Sequence, residues 1–264
     1  INEEWISDKT RYAIDGLRRQ RLDQPYVRGR DGRLHPVSWD EALKTAGVKL
    51  RKAKAGRIAA IAGNQVDAEA IYALKSLMTR LDSPNIDCRQ DGAKIGGARA
   101  GYLFNSSVAG IDDADALLII GSNPRLEAAV LNARIRRNWL HSRMPVGVVG
   151  PKSELTYDAD FLGDNPALLE AIATGKHKFS AKLKKASRPM IIIGMGALTR
   201  KDGGAMLAKA RQIAETYGVV TADWNGFNVL HNAAARVGGL DLGFTPGRGG
   251  MDIAAMGKAS QAGK

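Results

Sequence analysis

Apolar residues in this chain fall into two kinds of segment: short unbroken runs, and longer stretches in which they recur every three or four positions. The clearest junction between the two is residues 114–137, ADALLIIGSNPRLEAAVLNARIRR. Residues 116–120 are rich in Leu and Ile, as a strand buried on both faces is, and Gly121-Ser122-Asn123-Pro124 ends the run. Asn123 then reads as the cap of a helix and Pro124 as its first residue, where a missing N–H costs nothing. Val130, Leu131, Ile135 and Trp139 follow on one helical face. The unit reads as strand, loop, helix.

The same grammar extends along the chain. Residues 1–25 read as an extended arm ended by Pro25. Residues 26–28 and 33–37 flank Gly29-Arg30-Asp31-Gly32, a turn that predicts a hairpin. Ser38-Trp39-Asp40-Glu41 is a capping box, and Trp39, Leu43, Ala46 and Leu50 trace one face of a helix ending near Gly56. Strand 58–62, helix 67–81 (Ile71, Leu74, Met78 and Leu81 inward) and strand 85–88 give a βαβ pattern. Residues 92–101 are Gly-rich and loop-like. Strand 144–150, helices 165–174 and 177–186, and strand 190–193 come next. The turn 194–199 leads into a helix from about residue 202, with Met206, Ala210, Ile213 and Tyr217 inward. A last helix is expected over 228–237, and residues 246–264 read as a linker-like tail. The fold class is therefore α/β, with parallel sheets flanked by helices.

Composition narrows the function classes. The chain has 264 residues, is 44% hydrophobic and carries one cysteine. A single Cys excludes an internal disulfide framework and a Cys-rich metal site within the chain, and fits a reducing compartment. No run approaches the roughly 18 apolar residues of a membrane span, and INEEWISDKTR is too polar for a signal peptide, so no direct membrane insertion is expected. The formal net charge of +12 attracts anionic partners. Its Lys and Arg residues are spread over several segments without interleaved aromatics, which argues against nucleic acid.

The candidate chemistry is sparse. Gly121, Ser122 and Asn123 lie where a parallel strand meets a helix N-terminus, the usual anion-facing position of an α/β fold, although many such turns are plain connections. Gly194-Met195-Gly196 half-matches a dinucleotide fingerprint. Thr199 replaces the third glycine, and the acid that would hold a ribose is Glu215 or Asp223. Asp112, Asp113 and Asp115 read as a solvated turn rather than a cation site. Four scattered histidines and the absence of a nucleophile elbow, P-loop or zinc helix leave no catalytic residue and no metal site to name.

Several longer stretches carry a resemblance: residues 1–22, GNQVDAE at 63–69, VAGI at 108–111, GSNPR at 121–125, NARIRRNWL at 132–140 and LTYDADFLG at 155–163. Across nearly the whole chain they resemble the large iron–sulfur subunit of respiratory complex I, within the molybdopterin oxidoreductase superfamily. The resemblance implies a fragment. Its family's cluster-binding residues precede residue 1, so iron–sulfur clusters are expected in a missing N-terminal part and no cofactor in this chain. It also implies a non-catalytic scaffold within NADH:quinone oxidoreductase, inactive alone, with a working molybdopterin- or nucleotide-binding domain as the alternative. Active relatives place a metal-binding Cys, selenocysteine or Ser a few residues after a segment like 85–87. This chain has Arg89-Gln90-Asp91-Gly92-Ala93 there, and Cys88 falls too early. Gly121, Ser122, Asn123, Gly194 and Gly196 correspond to the superfamily's cofactor loops, vestigial here. The implied layout is an arm and hairpin (1–37), a discontinuous domain (38–105 with 188–245), an inserted domain (106–187) and a tail (246–264). Implied partners are other peripheral-arm subunits and the rest of its own chain, on the cytoplasmic or matrix face of the membrane.

Overall fold

The computed structural model describes residues 4–263; the first three residues of the expected arm and Lys264 of the expected tail lie outside the described residues. The arm is not extended. It forms α1 (Asp8–Tyr12), capped by Ser7, whose Oγ accepts from Thr10 N at 3.4 Å, and then a 3-10 turn at Ile14–Leu17. β1 (Tyr26–Arg28) and β2 (Leu34–Pro36) form the expected antiparallel hairpin, closed by Gly29 N donating to Arg33 O at 2.8 Å. Ser38 caps α2 (Trp39–Lys52) by accepting from Glu41 N at 3.2 Å. Of the stripe on that helix, Leu50 packs against the core, while Trp39 and Leu43 are 67% and 64% exposed. Ile58 is the first buried residue among those described.

β3 (Ala60–Ile61), α3 (Ala68–Arg80) and β4 (Ile86–Asp87) complete a right-sized crossover unit, the two strands pairing in parallel. Asp67 caps α3 by accepting from Ala70 N at 2.7 Å, and Ile71 and Met78 point into the core. Next come the central strand β5 (Ala116–Ile120), α4 (Pro124–Glu127), α5 (Ala129–Ser142) and β6 (Val146–Val149). They are followed by β7 (Asp160–Gly163), α6 (Ala167–Ala173), α7 (Ser180–Lys185) and β8 (Pro189–Gly194). After β8 come α8 (Met195–Leu198), α9 (Gly203–Thr216) and β9 (Phe227–Leu230), and the chain continues through α10 (Arg236–Asp241) to α11 (Ile253–Gln261).

β5 to β9 form one all-parallel sheet in the order β7-β6-β5-β8-β9. Burial on both faces explains the unbroken apolar runs of β5 and β8. Leu118, Ile120, Ile191 and Ile193 point into one cluster with α6, α7 and α9. Leu117, Ile119, Met190 and Ile192 point into a second with Leu131 and Ile135 of α5. The sheet crosses the boundary expected at 187/188, because β5 pairs with β8 over five residues and so draws 106–187 and 188–230 into one sheet.

Four other expectations differ. The helix expected over 228–237 is replaced by β9 and, later, α10. Asn228, expected to start that helix, is instead fully buried, accepting at Oδ1 from Ser106 N at 3.0 Å and donating to Gly226 O. That contact, with Val229 N donating to Leu103 O, covers the outer edge of β9. The tail is not a linker: Asp252 caps α11 by accepting from Ala255 N at 2.9 Å, and Met256 is buried. The long helix after β5 breaks at Ala128 into α4 and α5. β7 has no expected counterpart.

Candidate functional site

Chain order fixes where a ligand would sit in this sheet. From β5 the chain steps outward to β6 and β7, then returns to β8 on the other side of β5, so β5 and β8 flank the point where strand order reverses. In open parallel sheets the crevice at the carboxyl ends of such a pair is the usual ligand site. Gly121-Ser122-Asn123 and Gly194-Met195-Gly196 are the two turns that leave those ends, and the structure brings all five expected residues together there.

The two turns are packed into each other. Gly121 has φ +58°, and a Cβ on it would fall 2.4 Å from Ala197 N. A Cβ on Gly194 would fall 2.6 Å from Ser122 Cβ, and one on Gly196 would fall 2.6 Å from the Gly121 carbonyl oxygen. Each glycine thus makes room for the opposite backbone. The turn expected at 194–199 is also shorter than the sequence suggests: α8 starts at Met195, directly after β8, and Thr199 Oγ1 donates back to Met195 O at 2.8 Å.

The cap expected from Asn123 is supplied by another residue. Its side-chain oxygen is buried without a hydrogen-bond partner. Glu127 reaches back instead, accepting from Asn123 N at 2.8 Å and from Ser122 Oγ at 2.9 Å. A carboxylate of the chain itself therefore satisfies the Asn123 amide and the Ser122 hydroxyl at the start of α4. Glu215 and Asp223 stand away from this edge. Glu215 is exposed on the last turn of α9, and Asp223 precedes β9, so both lie toward the amino ends of the strands.

The aspartates before β5 each have their own partner. Asp112 pairs with Arg134 at 2.7 Å and with Arg137, and Asp113 with Arg188 at 3.5 Å. Asp115 accepts from Ser187 N at 2.6 Å and Arg188 N at 2.8 Å, which ties β5 to the start of β8. Among the described residues no three His, Cys, Asp or Glu side chains group as metal ligands. Cys88 is buried, and burial first, then the neighbouring Asp87 charge, pushes its thiol pKa up.

Sequence reasoning missed a buried charge at the same edge. Arg236, 1% exposed, donates from Nη2 to Asp91 Oδ1 at 2.9 Å and lies 3.8 Å from the Met195 sulfur, while its Nε has no partner. Beside it, His231 hydrogen-bonds through Nε2 to Tyr102 O at 2.6 Å, and its Nδ1 is buried and unpaired. Burial lowers the His231 pKa, only partly opposed by that hydrogen bond, and the Arg236 charge lowers it further. The group ties α10 to the loop after β4 and to α8. AAARVGG offers no periodic signal that its arginine is internal.

Comparison with known proteins gives two family matches. Residues 21–262 match the model described as molybdopterin oxidoreductase, and residues 1–15 match the 4Fe-4S domain of the NADH-ubiquinone oxidoreductase NDSU1/NuoG-like type. The chain is 46% identical over 247 residues to a Solanum tuberosum protein named NADH dehydrogenase [ubiquinone] iron-sulfur protein 1, mitochondrial, covering 93% of this chain and 34% of that protein. It is 42% identical over 253 residues to an NADH-quinone oxidoreductase subunit of Rickettsia bellii, covering 96% of this chain and 37% of that protein. The chain spans about a third of the length of these relatives.

Proposed function

This chain belongs to the molybdopterin oxidoreductase family, and from that premise we propose that it is the non-catalytic α/β scaffold of the large iron–sulfur subunit of an NADH–quinone oxidoreductase. Its relatives are subunits of that enzyme. In this reading electrons pass from NADH to quinone through clusters outside these 264 residues, and the domain holds the cluster-bearing part in place. Its partners are other subunits of the peripheral arm and the rest of its own chain. The location is peripheral, on the cytoplasmic face of a bacterial membrane or the matrix face of a mitochondrial one; no helix among the described residues is long and apolar enough to cross a membrane.

One observation carries the scaffold reading: the closure of the crevice between β5 and β8. The family implies a molybdopterin, and the residues here do not fit one. Backbone atoms of the opposing turn stand under 3 Å from where side chains on Gly121, Gly194 and Gly196 would begin, and beside them the Glu127 carboxylate already takes the Asn123 amide and the Ser122 hydroxyl. Asp91, near the position of the metal ligand in active relatives, is engaged by Arg236 and by Ala93 N at 3.1 Å.

Metal analysis and a visible spectrum test this. The 264 residues, expressed alone, should bring neither stoichiometric molybdenum nor iron, and calorimetry with a guanine dinucleotide should give no saturable heat. Stoichiometric metal, or saturable binding abolished by a bulky residue at position 196, would overturn the reading in favour of a working cofactor domain.

A further inference from the structure

The excess positive charge of the chain is concentrated in one stretch. No acidic residue lies between Glu170 and Asp202, and the 31 residues between them carry eight Lys and Arg. Elsewhere 31 Lys and Arg face 27 acids, so this stretch holds two thirds of the net charge of +12. Acids outside the stretch neutralise three of the eight: Lys182 Nζ lies 2.5 Å from Asp160, Arg188 3.5 Å from Asp113 and Arg200 2.7 Å from Asp202. Lys201 follows α8, at the far end of β8. Lys176, Lys178, Lys184 and Lys185 remain, all exposed, on α7 and just before it. Among the described residues no carboxylate pairs with any of these four.

The four lysines stand on a fixed frame. Phe179 and Leu183 are buried, Ser180 Oγ donates to Ile172 O at 3.1 Å, and Phe179 N donates to His177 Nδ1 at 3.1 Å. Phe179 also covers Gly147 of β6, where a Cβ would fall 2.7 Å from its ring. Packing turns every large apolar side chain of the segment inward and leaves ammonium groups around the exposed Ala181. Like charges crowded onto ten residues repel one another, and a partner's negative charges relieve that repulsion.

The chemistry of this face selects the partner. A helix that lies on a lipid surface keeps an apolar side to enter the headgroup boundary, and here that side is inside the protein. Single-stranded nucleic acid is gripped by exposed aromatic rings, and none stands among these lysines. A second copy of the chain brings the same charge and is repelled. Compact ammonium groups projecting from a rigid frame suit the carboxylates of an acidic protein surface.

We propose that the lysine face at residues 176–185 docks against a cluster of Asp and Glu side chains on a different polypeptide of the assembly. This rests on the reading of the chain as part of one subunit in a larger enzyme, and deepens it by naming the face and the chemistry of its neighbour. Such a contact steers association, and it weakens as added salt shortens the screening length from roughly 10 Å at 0.1 M.

The test uses the full-length chain assembled with its partner subunits. A water-soluble carbodiimide joins carboxylates to amines in direct contact, so at low salt mass spectrometry should find Lys178, Lys184 or Lys185 in amide linkage to an Asp or Glu of a different polypeptide. High salt during the reaction should suppress that product. Lys184→Glu with Lys185→Glu should cut the yield at Lys178 roughly tenfold, whereas Lys184→Arg with Lys185→Arg should leave it unchanged. Both variants should keep the wild-type thermal midpoint, since the two side chains are exposed. Linkage only within the same polypeptide or to a second copy, a yield indifferent to salt, or a Glu variant that couples as well as the Arg variant would overturn the proposal. So would sedimentation of the wild type, but not the Glu variant, with vesicles of anionic lipid in the absence of an inter-chain product. Such a failure with the metal analysis as expected removes the docking face and leaves the scaffold reading standing; molybdenum in the isolated domain removes the scaffold reading itself.

Discussion

Gly196→Ala separates a closed crevice from an open one by the sign of its effect on the ligand-free protein. A glycine kept to let a ligand approach has empty space before its Cα, so an added methyl group disturbs binding and leaves stability alone. Here the new Cβ would meet the Gly121 carbonyl oxygen at 2.6 Å, and backbone cannot swing aside as a flexible side chain can. Overpacking of this kind costs about 1–3 kcal/mol. At roughly 2–4 °C per kcal/mol for a chain of this size, the midpoint of thermal unfolding should fall by about 2–12 °C. Gly257→Ala is the internal control. It lies in α11 with nothing within 4 Å of its Cβ position, so alanine there should stabilise by about 0.5–1 kcal/mol. Calorimetry of both variants without added ligand decides the matter. A Gly196→Ala protein as stable as wild type would refute the closure, whatever Gly257→Ala does.

Three further outcomes follow from single contacts. Glu127→Ala should cost about 1 kcal/mol by removing the acceptor for Asn123 N and Ser122 Oγ, with Glu127→Gln recovering part of it; equal urea midpoints for all three proteins would contradict the cap. Asn138→Ala should cost about 1–3 kcal/mol, since Nδ2 donates to the Ile111 and Ala114 carbonyls at 2.7 and 2.9 Å in a buried site, and an unchanged urea midpoint would count against it. His231 has a folded pKa below its unfolded value of about 6.5, so its contribution is complete above that pH and is lost as pH falls toward the folded pKa, because the unfolded chain takes a proton that the fold refuses. His231→Gln should flatten the fall in urea midpoint between about pH 7 and 5; parallel profiles would show that another group controls it.

The fold was legible where burial is two-sided and pattern is strong. ALLII and MIII read as interior strands because nothing polar interrupts them, and the Ser38 capping box marks its helix correctly. It was not legible where one residue type serves two purposes. Asn228 is expected to open a helix but sits inside β9, because its amide satisfies the segment that covers the sheet edge. Asp252 looks like part of a polar tail but caps α11. Neither choice can be made without knowing which segment lies alongside. The continuity of the sheet across 187/188 was hidden for the same reason, since strand order is a long-range property.

The site poses a sharper version of that problem. Five expected residues do converge at the switch point, yet their sequence is as compatible with a cradle as with a seal, because glycine is required wherever a backbone must come close to something. What differs is the partner. At Gly121, Gly194 and Gly196 the near neighbour is the other turn, and beside them Glu127 supplies from within the chain the negative charge that a bound anion would bring. Turns packed in this way need glycine whether or not a ligand sits before them, since each must admit the backbone of the other. Under that condition the motif reports the topology of the sheet, and only the atoms opposite each Cα report whether the crevice is open.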